Sequence, residues 1–392
     1  MKDNRIGIIG FGTMGQGLAQ WFIHKGYQVF IKTERRESVE DFIASIERYY
    51  LRKVKRGVMG ISEFSERIKQ IHYLKDFEEL KKLDVIIEAV KEDLEIKRQI
   101  ISQIRGIAPE QTLLATTTSS FSITELSEGL EDCSNFIGLH FFNPVSIMDM
   151  VEVIPGKATD SKTLNNAIEF CKKIGKTPIV VNDGRGFLVN RIFARFMNEA
   201  SRMLECGAGS VQEIDLELSN NLMPNGPYYI ADFIGLDVLL KINENLNEYY
   251  KGNKFRTCLS LKMLCEKGRL GRKVGRGYYS YIGQGIDKEM DKELIEIIRF
   301  IKGNSLIEPL PLSREIALFS MISEAFHCLE EGVIIQAADI DLALKYGLGM
   351  FKGPIEVACQ IGPKAVYERL RDMAKQFGER FNPPPLLKRF EV

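Results

Sequence analysis

Two polar residues stand inside apolar runs, twelve positions apart. His140 falls in Phe136-Ile-Gly-Leu-His140-Phe-Phe-Asn143-Pro144, and Glu152 in Met150-Val151-Glu152-Val153-Ile154. A lone histidine after an apolar run is more often a satisfied core or loop residue than a catalyst. Glu152 alters that balance, because a carboxylate in a β-like run needs a partner and an imidazole is a natural one. A histidine oriented by a buried carboxylate can take a proton from an alcohol near neutral pH. Of the four histidines, at 24, 72, 140 and 327, only His140 has polar strand-end neighbours of this kind. Ser119 closes another such run, Thr112 to Thr118, and is a candidate for touching a ligand. The nearby Ser122 and Thr124 suit helix capping.

A second group of residues could hold a dinucleotide. The run Arg5 to Ile9 leads into Gly10-x-Gly12-Thr13-Met14-Gly15, and Leu18, Ala19, Trp21 and Phe22 then fall at helical spacing. Gly10 would allow the tight turn, Gly12 the close approach of a pyrophosphate, and Gly15 the packing of helix on strand. The N-terminus of that helix would face the phosphates. Gly26 to Ile31 is the next expected strand, and a carboxylate that reads the ribose hydroxyls is expected about 20 residues beyond the glycines. Thr33 occupies that place, Glu34 follows one step late, and Arg35 and Arg36 come next. We favour NAD, with Glu34 reaching the ribose, and NADP stays open because the arginines could meet a 2′-phosphate. Glu88, inside Asp84 to Val90, either points into a cleft at a strand's carboxyl end or meets a neighbouring donor. Glu92 and Lys97 lie just beyond it, towards the cofactor.

The elements that must position these groups fill a chain long enough for two or three domains. Apolar residues are 45% of the chain, and 53 basic residues match 53 acidic ones. Neither a nucleic-acid nor a membrane partner is expected from that balance. Seven cysteines, odd in number, scattered and never spaced C-x-x-C, read as reduced thiols, and no metal site is expected. With no leader or membrane-length run in view, a cytoplasmic location is expected. Strand and helix alternate up to Thr177–Asn182, and Asp183-Gly184-Arg185-Gly186 breaks the pattern. Beyond it the chain turns helical, with a helix opening at Asn190-Arg191. The helical part repeats itself. Asn198-Glu-Ala, Ile214-Asp215, Gly226-Pro227 and Ile234-Gly235 return as Ser323-Glu-Ala, Ile340-Asp341, Gly353-Pro354 and Ile361-Gly362. Only Ser313 or Glu315 corresponds to Asn190 in the second copy, which reads as structural.

Together these stretches closely resemble the 3-hydroxyacyl-CoA dehydrogenase family over nearly the whole chain. The motifs are Gly10-x-Gly12-x-Met14-Gly15-x-Gly17, Glu88-Ala89-Val-x-Glu92, Ser119-Ser120-x-Ser-Ile-Thr, His140-Phe-Phe-Asn143-Pro144, Val151-Glu152-Val153-Ile154, Gly186-Phe-x-x-Asn190-Arg191 and Gly271-Arg-Lys273-x-Gly275-x-Gly277. The resemblance implies an α/β Rossmann-like domain (1–183) followed by two tandem all-α domains like the C-terminal domain of 6-phosphogluconate dehydrogenase (184–288 and 305–392), with an acyl-CoA thioester between the Rossmann-like and helical parts. It implies His140 as general base and Glu152 as its orienting acid. Ser119 and Asn190 would be donors to the reacting oxygen or the thioester carbonyl, with Gly10, Gly12, Thr13, Met14, Gly15, Thr33, Glu34, Ala89, Glu92, Lys97, Asn143 and Lys273 around the cofactor. The chain departs from the family's usual Asp at Thr33, Asn at Thr117 and Pro at Arg185, and Lys53, Lys55 and Arg56 all remain possible partners of CoA phosphates. The expected reaction is NAD-dependent oxidation of an (S)-3-hydroxyacyl-CoA or its reverse. An unusual hydroxyacyl-CoA or a carrier-protein thioester in a specialised pathway is the alternative, and a cofactor-binding protein without turnover a third reading. The second helical copy resembles the tandem arrangement in large fatty-acid oxidation proteins. It is expected to replace the usual dimer partner, which gives a monomer or a dimer through another surface.

Overall fold

The computed structural model of the chain describes residues 5–250, 254–283, 285–287, 291–304 and 308–390. The described chain divides into two compact units, 1–184 and 185–392.

In the first unit β1 (Arg5–Ile9) is followed by α1 (Thr13–Lys25), β2 (Gln28–Lys32), α2 (Arg36–Lys55), α3 (Ile61–Lys69) and β3 (Ile71–Tyr73). Then come β4 (Val85–Glu88), α4 (Leu94–Arg105), β5 (Leu113–Thr116), α5 (Ile123–Ser127), β6 (Phe136–Phe141), β7 (Met150–Pro155), α6 (Ser161–Lys173) and β8 (Thr177–Val180). They form one sheet in the order β3-β2-β1-β4-β5-β6-β7-β8. The first six strands are parallel, and β7 then runs antiparallel to β6 while β8 is parallel to β7. Continuous apolar strands demand cover on both faces. One face meets Leu18 and Phe22 of α1, Phe42 and Ile46 of α2, and Phe170 and Cys171 of α6. The strand order reverses direction at β1 and β4, and ligands of open α/β sheets bind outside the carboxyl ends of strands at such a switch.

The second unit is mostly helical: α7 (Val189–Cys206), α8 (Val211–Ser219), α9 (Pro227–Ile234), α10 (Leu236–Tyr249), α11 (Leu259–Glu266), a two-stranded ribbon β9 (Tyr281–Ile282) and β10 (Gly285–Ile286), and α12 (Lys292–Asn304). It continues with α13 (Arg314–Glu330), α14 (Ala337–Leu348), α15 (Pro354–Ile361) and α16 (Pro363–Phe377). Helices α7 and α13 pack along each other. Charges meet where they pack: Arg191 Nε donates to buried Glu324 Oε1 at 2.5 Å, and Arg191 Nη1 and Nη2 donate to Glu331, exposed just beyond α13, at 2.6 and 2.9 Å. Lys254 lies 2.7 Å from the other Glu324 oxygen. Burial would push the Glu324 carboxyl up, but Arg191, Lys254 and Arg195 outweigh it and hold it down to about 2.

The same turn is built twice in this unit. Asp215 accepts the backbone N–H of Tyr228 and Tyr229, at 2.8 and 3.0 Å, at the start of α9. Asp341 accepts those of Ile355 and Glu356, at 2.9 and 2.7 Å, at the start of α15. A side chain at Gly226 or Gly353 would collide with the corresponding aspartate, which explains the glycine before each proline. Among the described residues no helix is long and apolar enough to cross a membrane, and no group of three or more His, Cys, Asp or Glu could hold a metal ion.

Candidate active site

The glycine loop joins β1 to α1. Gly10 has φ +94°, and a Cβ there would lie 2.6 Å from the carbonyl oxygen of Ala89 at the end of β4. Gly15 packs its helix on the turn, since a Cβ would come within 2.4 Å of the Gly10 carbonyl oxygen. Gly12 differs: nothing lies within 4 Å of its Cβ position, its φ is −80°, and as N-cap it supplies no side-chain acceptor. The first N–H groups of α1 therefore have no side-chain cap, and an uncapped helix N-terminus beside open space at Gly12 suits a pyrophosphate. Thr13 and Met14 are the first two residues of that helix.

Glu88 is fully buried and has met a donor. Its carboxylate accepts Lys97 Nζ at 2.9 and 3.1 Å, Thr116 Oγ1 at 2.6 Å and the Val90 N–H at 2.7 Å. Lys97, on α4 and 1% exposed, also lies 3.3 Å from Glu92. Burial would lower the Lys97 ammonium, but Glu88 and Glu92 outweigh it and raise it. Glu92 in turn gathers the turn after β5. One of its oxygens accepts Thr118 Oγ1 (2.6 Å), Ser119 N (3.0 Å), Ser120 N (3.1 Å) and Ser120 Oγ (2.8 Å). Burial would raise this carboxyl, but Lys97 and these donors hold it below the ordinary range. A chain of contacts thus runs from buried Glu88 to Ser119, which is only partly buried.

His140 and Glu152 face each other directly. They are partners in the antiparallel register of β6 and β7, so their side chains project on one face of the sheet. His140 Nδ1 lies 2.5 Å from Glu152 Oε2, with the carboxylate fully buried and the imidazole 7% exposed. The Phe142 ring lies 4.6 Å from the imidazole, centroid to centroid. With Nδ1 committed to a carboxylate, the neutral ring carries its lone pair on Nε2, the tautomer a general base needs.

The remaining candidates are placed as follows. Thr33 follows β2, with its Oγ1 accepting the Arg35 N–H at 3.4 Å and its carbonyl accepting Tyr73 Oη at 3.3 Å. Glu34 and Arg35 are exposed, and Arg36 Nε donates to Glu40 at 3.0 Å. Asn143 is exposed after β6. Asn190 and Lys273 belong to the second unit, where Asn190 is the second residue of α7 and Lys273 Nζ donates to both oxygens of Asp237, at 2.5 and 2.6 Å. Three residues gain a part that the sequence reading did not assign. Thr118 and Ser120 complete the Glu92 turn, and Asp183 caps α5 by accepting Ser122 Oγ and the N–H groups of Ile123 and Thr124. The hydroxyl cluster was the available signal for the first two. Asp183 lies some 60 positions from its partners and left none.

Residues 5–184 match the 3-hydroxyacyl-CoA dehydrogenase NAD binding domain, and residues 186–281 and 316–391 match the C-terminal domain of the same family. The chain belongs to the 3-hydroxyacyl-CoA dehydrogenase family. Its first unit is accordingly an NAD-binding domain. The fatty acid oxidation complex subunit alpha of Vibrio parahaemolyticus is 34% identical over 387 residues, 97% of this chain and 54% of that protein. The chain spans about half the length of the curated relatives it matches. Among solved structures, 3-hydroxybutyryl-CoA dehydrogenase from Escherichia coli K12 superposes with a TM-score of 0.86 at 25% identity, covering 99% of this chain and 98% of that one. (S)-3-Hydroxybutyryl-CoA dehydrogenase from Ralstonia eutropha has a TM-score of 0.66 at 36% identity, covering 72% of this chain and all of that one.

The two glycines predict opposite behaviour in this family member. Gly12→Ala should leave stability within about 0.5 kcal/mol of wild type while weakening NADH binding at least about tenfold, because its methyl enters only the phosphate space. Gly15→Ala should lose about 1–3 kcal/mol of stability through the backbone clash. Denaturant titration and NADH fluorescence titration check both, and unchanged NADH affinity in Gly12→Ala would contradict the cradle.

Proposed function

We propose that the chain oxidises an (S)-3-hydroxyacyl-CoA to the 3-ketoacyl-CoA, or catalyses the reverse reduction. The observation that carries this reading is the His140–Glu152 pair, because a binding protein needs neither a base nor its orienting acid. NAD supplies the hydride acceptor when bound at the glycine loop. His140 Nε2 takes the hydroxyl proton as the C3–H bond breaks, since hydride leaves an alkoxide-like carbon far more readily than an intact alcohol. Glu152 fixes the tautomer and stabilises the imidazolium. Ser119, and Asn190 from the second unit, are assigned hydrogen bonds to the reacting oxygen or the thioester carbonyl. Glu92, Asn143, Thr33, Glu34, Ala89 and Lys273 are assigned to the cofactor. Lys97, whose ammonium is committed to Glu88 and Glu92, serves it through Glu92. Thr33 in place of a carboxylate and the exposed Arg35 favour testing NADP beside NAD, and with it an unusual hydroxyacyl thioester as the second reading.

We also read the chain as three domains, 1–183, 184–288 and 305–392, the last two being tandem copies. The matching of one domain pattern at two places and the aspartate-capped helix starts in both copies support this. The pairing of α7 with α13 within one chain then supports a monomer, or a dimer through another surface. Sedimentation velocity should give one of these, and a tight dimer joined through residues 190 to 280 would overturn the reading.

Acetoacetyl-CoA reduction followed at the nicotinamide absorbance, with NADH and with NADPH, tests the reaction. Turnover is expected, faster with NADH, and His140→Gln should retain NADH affinity while losing about 10²–10⁴-fold in kcat. Folded protein that binds NADH but turns over no acyl-CoA, or a His140→Gln variant of near-normal rate, would contradict the proposal.

A further inference from the structure

Lys176 lies between α6 and β8, and its side chain is fully buried. Its Nζ donates to the carbonyl oxygens of Val145 and Met148, at 2.5 and 2.6 Å, both in the loop that joins β6 to β7. The same ammonium stands 3.9 Å from the ring centroid of Trp21 on α1. Trp21 is itself held, its indole N–H donating to the Ile174 carbonyl at 3.1 Å. One helical turn earlier on α1 is Gly17, where a Cβ would come 3.3 Å from Val145 Cγ2. The loop therefore sits against the helix whose N-terminus forms the dinucleotide cradle. It also carries Asn143, two residues before Val145.

We propose that Lys176 is a positioning residue for cofactor binding: its ammonium ties the Asn143 loop to α1, keeping the catalytic hairpin in register with the dinucleotide helix. A buried cation is costly, and an apolar residue would fill this place more cheaply if packing were its only task. The cation instead satisfies two inward-facing loop carbonyls and an aromatic face at once, a combination that no neutral side chain supplies. The charged groups around it are Asp149, with Oδ1 at 4.0 Å, and Lys25, whose ammonium lies 4.5 Å from the same Trp21 ring. Burial brings the Lys176 ammonium down to about 8, with Asp149 opposing the fall and Lys25 adding to it. The tie is thus weakened in mildly alkaline solution, where loss of the proton takes the cation from the Trp21 face and leaves a neutral amine as a poorer donor to the two carbonyls.

The full chain carries a single tryptophan, so Trp21 emission reports on this contact. Lys176→Met and Lys176→Arg are compared with wild type by NADH Kd, by KM and kcat in acetoacetyl-CoA reduction, and by Trp21 emission. Lys176→Met should raise Kd and KM for NADH about tenfold or more, change kcat less, and shift the emission, while Lys176→Arg recovers most of the affinity. Affinity within about twofold of wild type in Lys176→Met, or equal losses in the Met and Arg variants, would overturn the proposal. If Lys176→Met does not fold, wild type is titrated from about pH 6 to 10, a range below the ordinary lysine value. Trp21 emission and NADH Kd should then change together near 8. An emission change with constant Kd would overturn it. The turnover arm rests on the dehydrogenase reading, but the Kd arm does not, so absent turnover with normal NADH binding would refute that reading alone.

Discussion

A carboxylate sealed from water must find a partner or lose its charge, and this constraint organises both units. Glu152 is fully buried and meets His140; Glu88 is fully buried and meets Lys97; Glu324 is fully buried between Arg191 and Lys254. Removing one partner from such a pair leaves a stranded charge at a cost of about 3–5 kcal/mol, so the pairs act as rigid joints rather than as surface decoration. Two of the three stand at the carboxyl ends of strands or directly opposite in a hairpin, where their geometry is inherited from the sheet. The third joins two long helices in the second unit.

The sheet explains how the first two pairs come to be placed for the proposed site. Parallel strands β1, β4 and β5 bring the glycine loop, Glu88 and the hydroxyl turn to one edge, in the strand order associated with ligand clefts. Reversal at β7 then sets Glu152 opposite His140 without a long crossover. The imidazole is thereby oriented by backbone register and not by a flexible loop. Glu92 extends the same logic outward, since a carboxylate held by Lys97 gathers three consecutive residues, Thr118 to Ser120.

Much of this was legible in the residues. The glycine spacing announced a strand, a turn and a helix, and an acid inside an apolar run announced that it needed company. Periodicity could not name the company of Glu88, because Lys97 lies nine positions on, across a turn and a helix start that carry no signal of direction. Nor could it reveal that β7 reverses, since an apolar run reads alike in either direction. Strand β3 and helix α3 are short and only partly buried, so neither leaves a strong pattern. Lys176 carries no signal of its burial in the sequence, because a lysine beside a glycine reads as a solvated turn and the ring it meets, Trp21, lies more than 150 positions away.

The central claim is that Glu152 makes His140 a base. It is tested most directly by the single-turnover rate of nicotinamide reduction with a 3-hydroxyacyl-CoA in Glu152→Gln, measured beside the NADH affinity of the same variant. A fall of about 10²–10⁴-fold in that rate with unchanged affinity is predicted, because the amide keeps the shape of the pair but not the charge that orients and stabilises the imidazolium. A rate within about threefold of wild type would contradict it, since general-base catalysis of the expected size would then not depend on the pair.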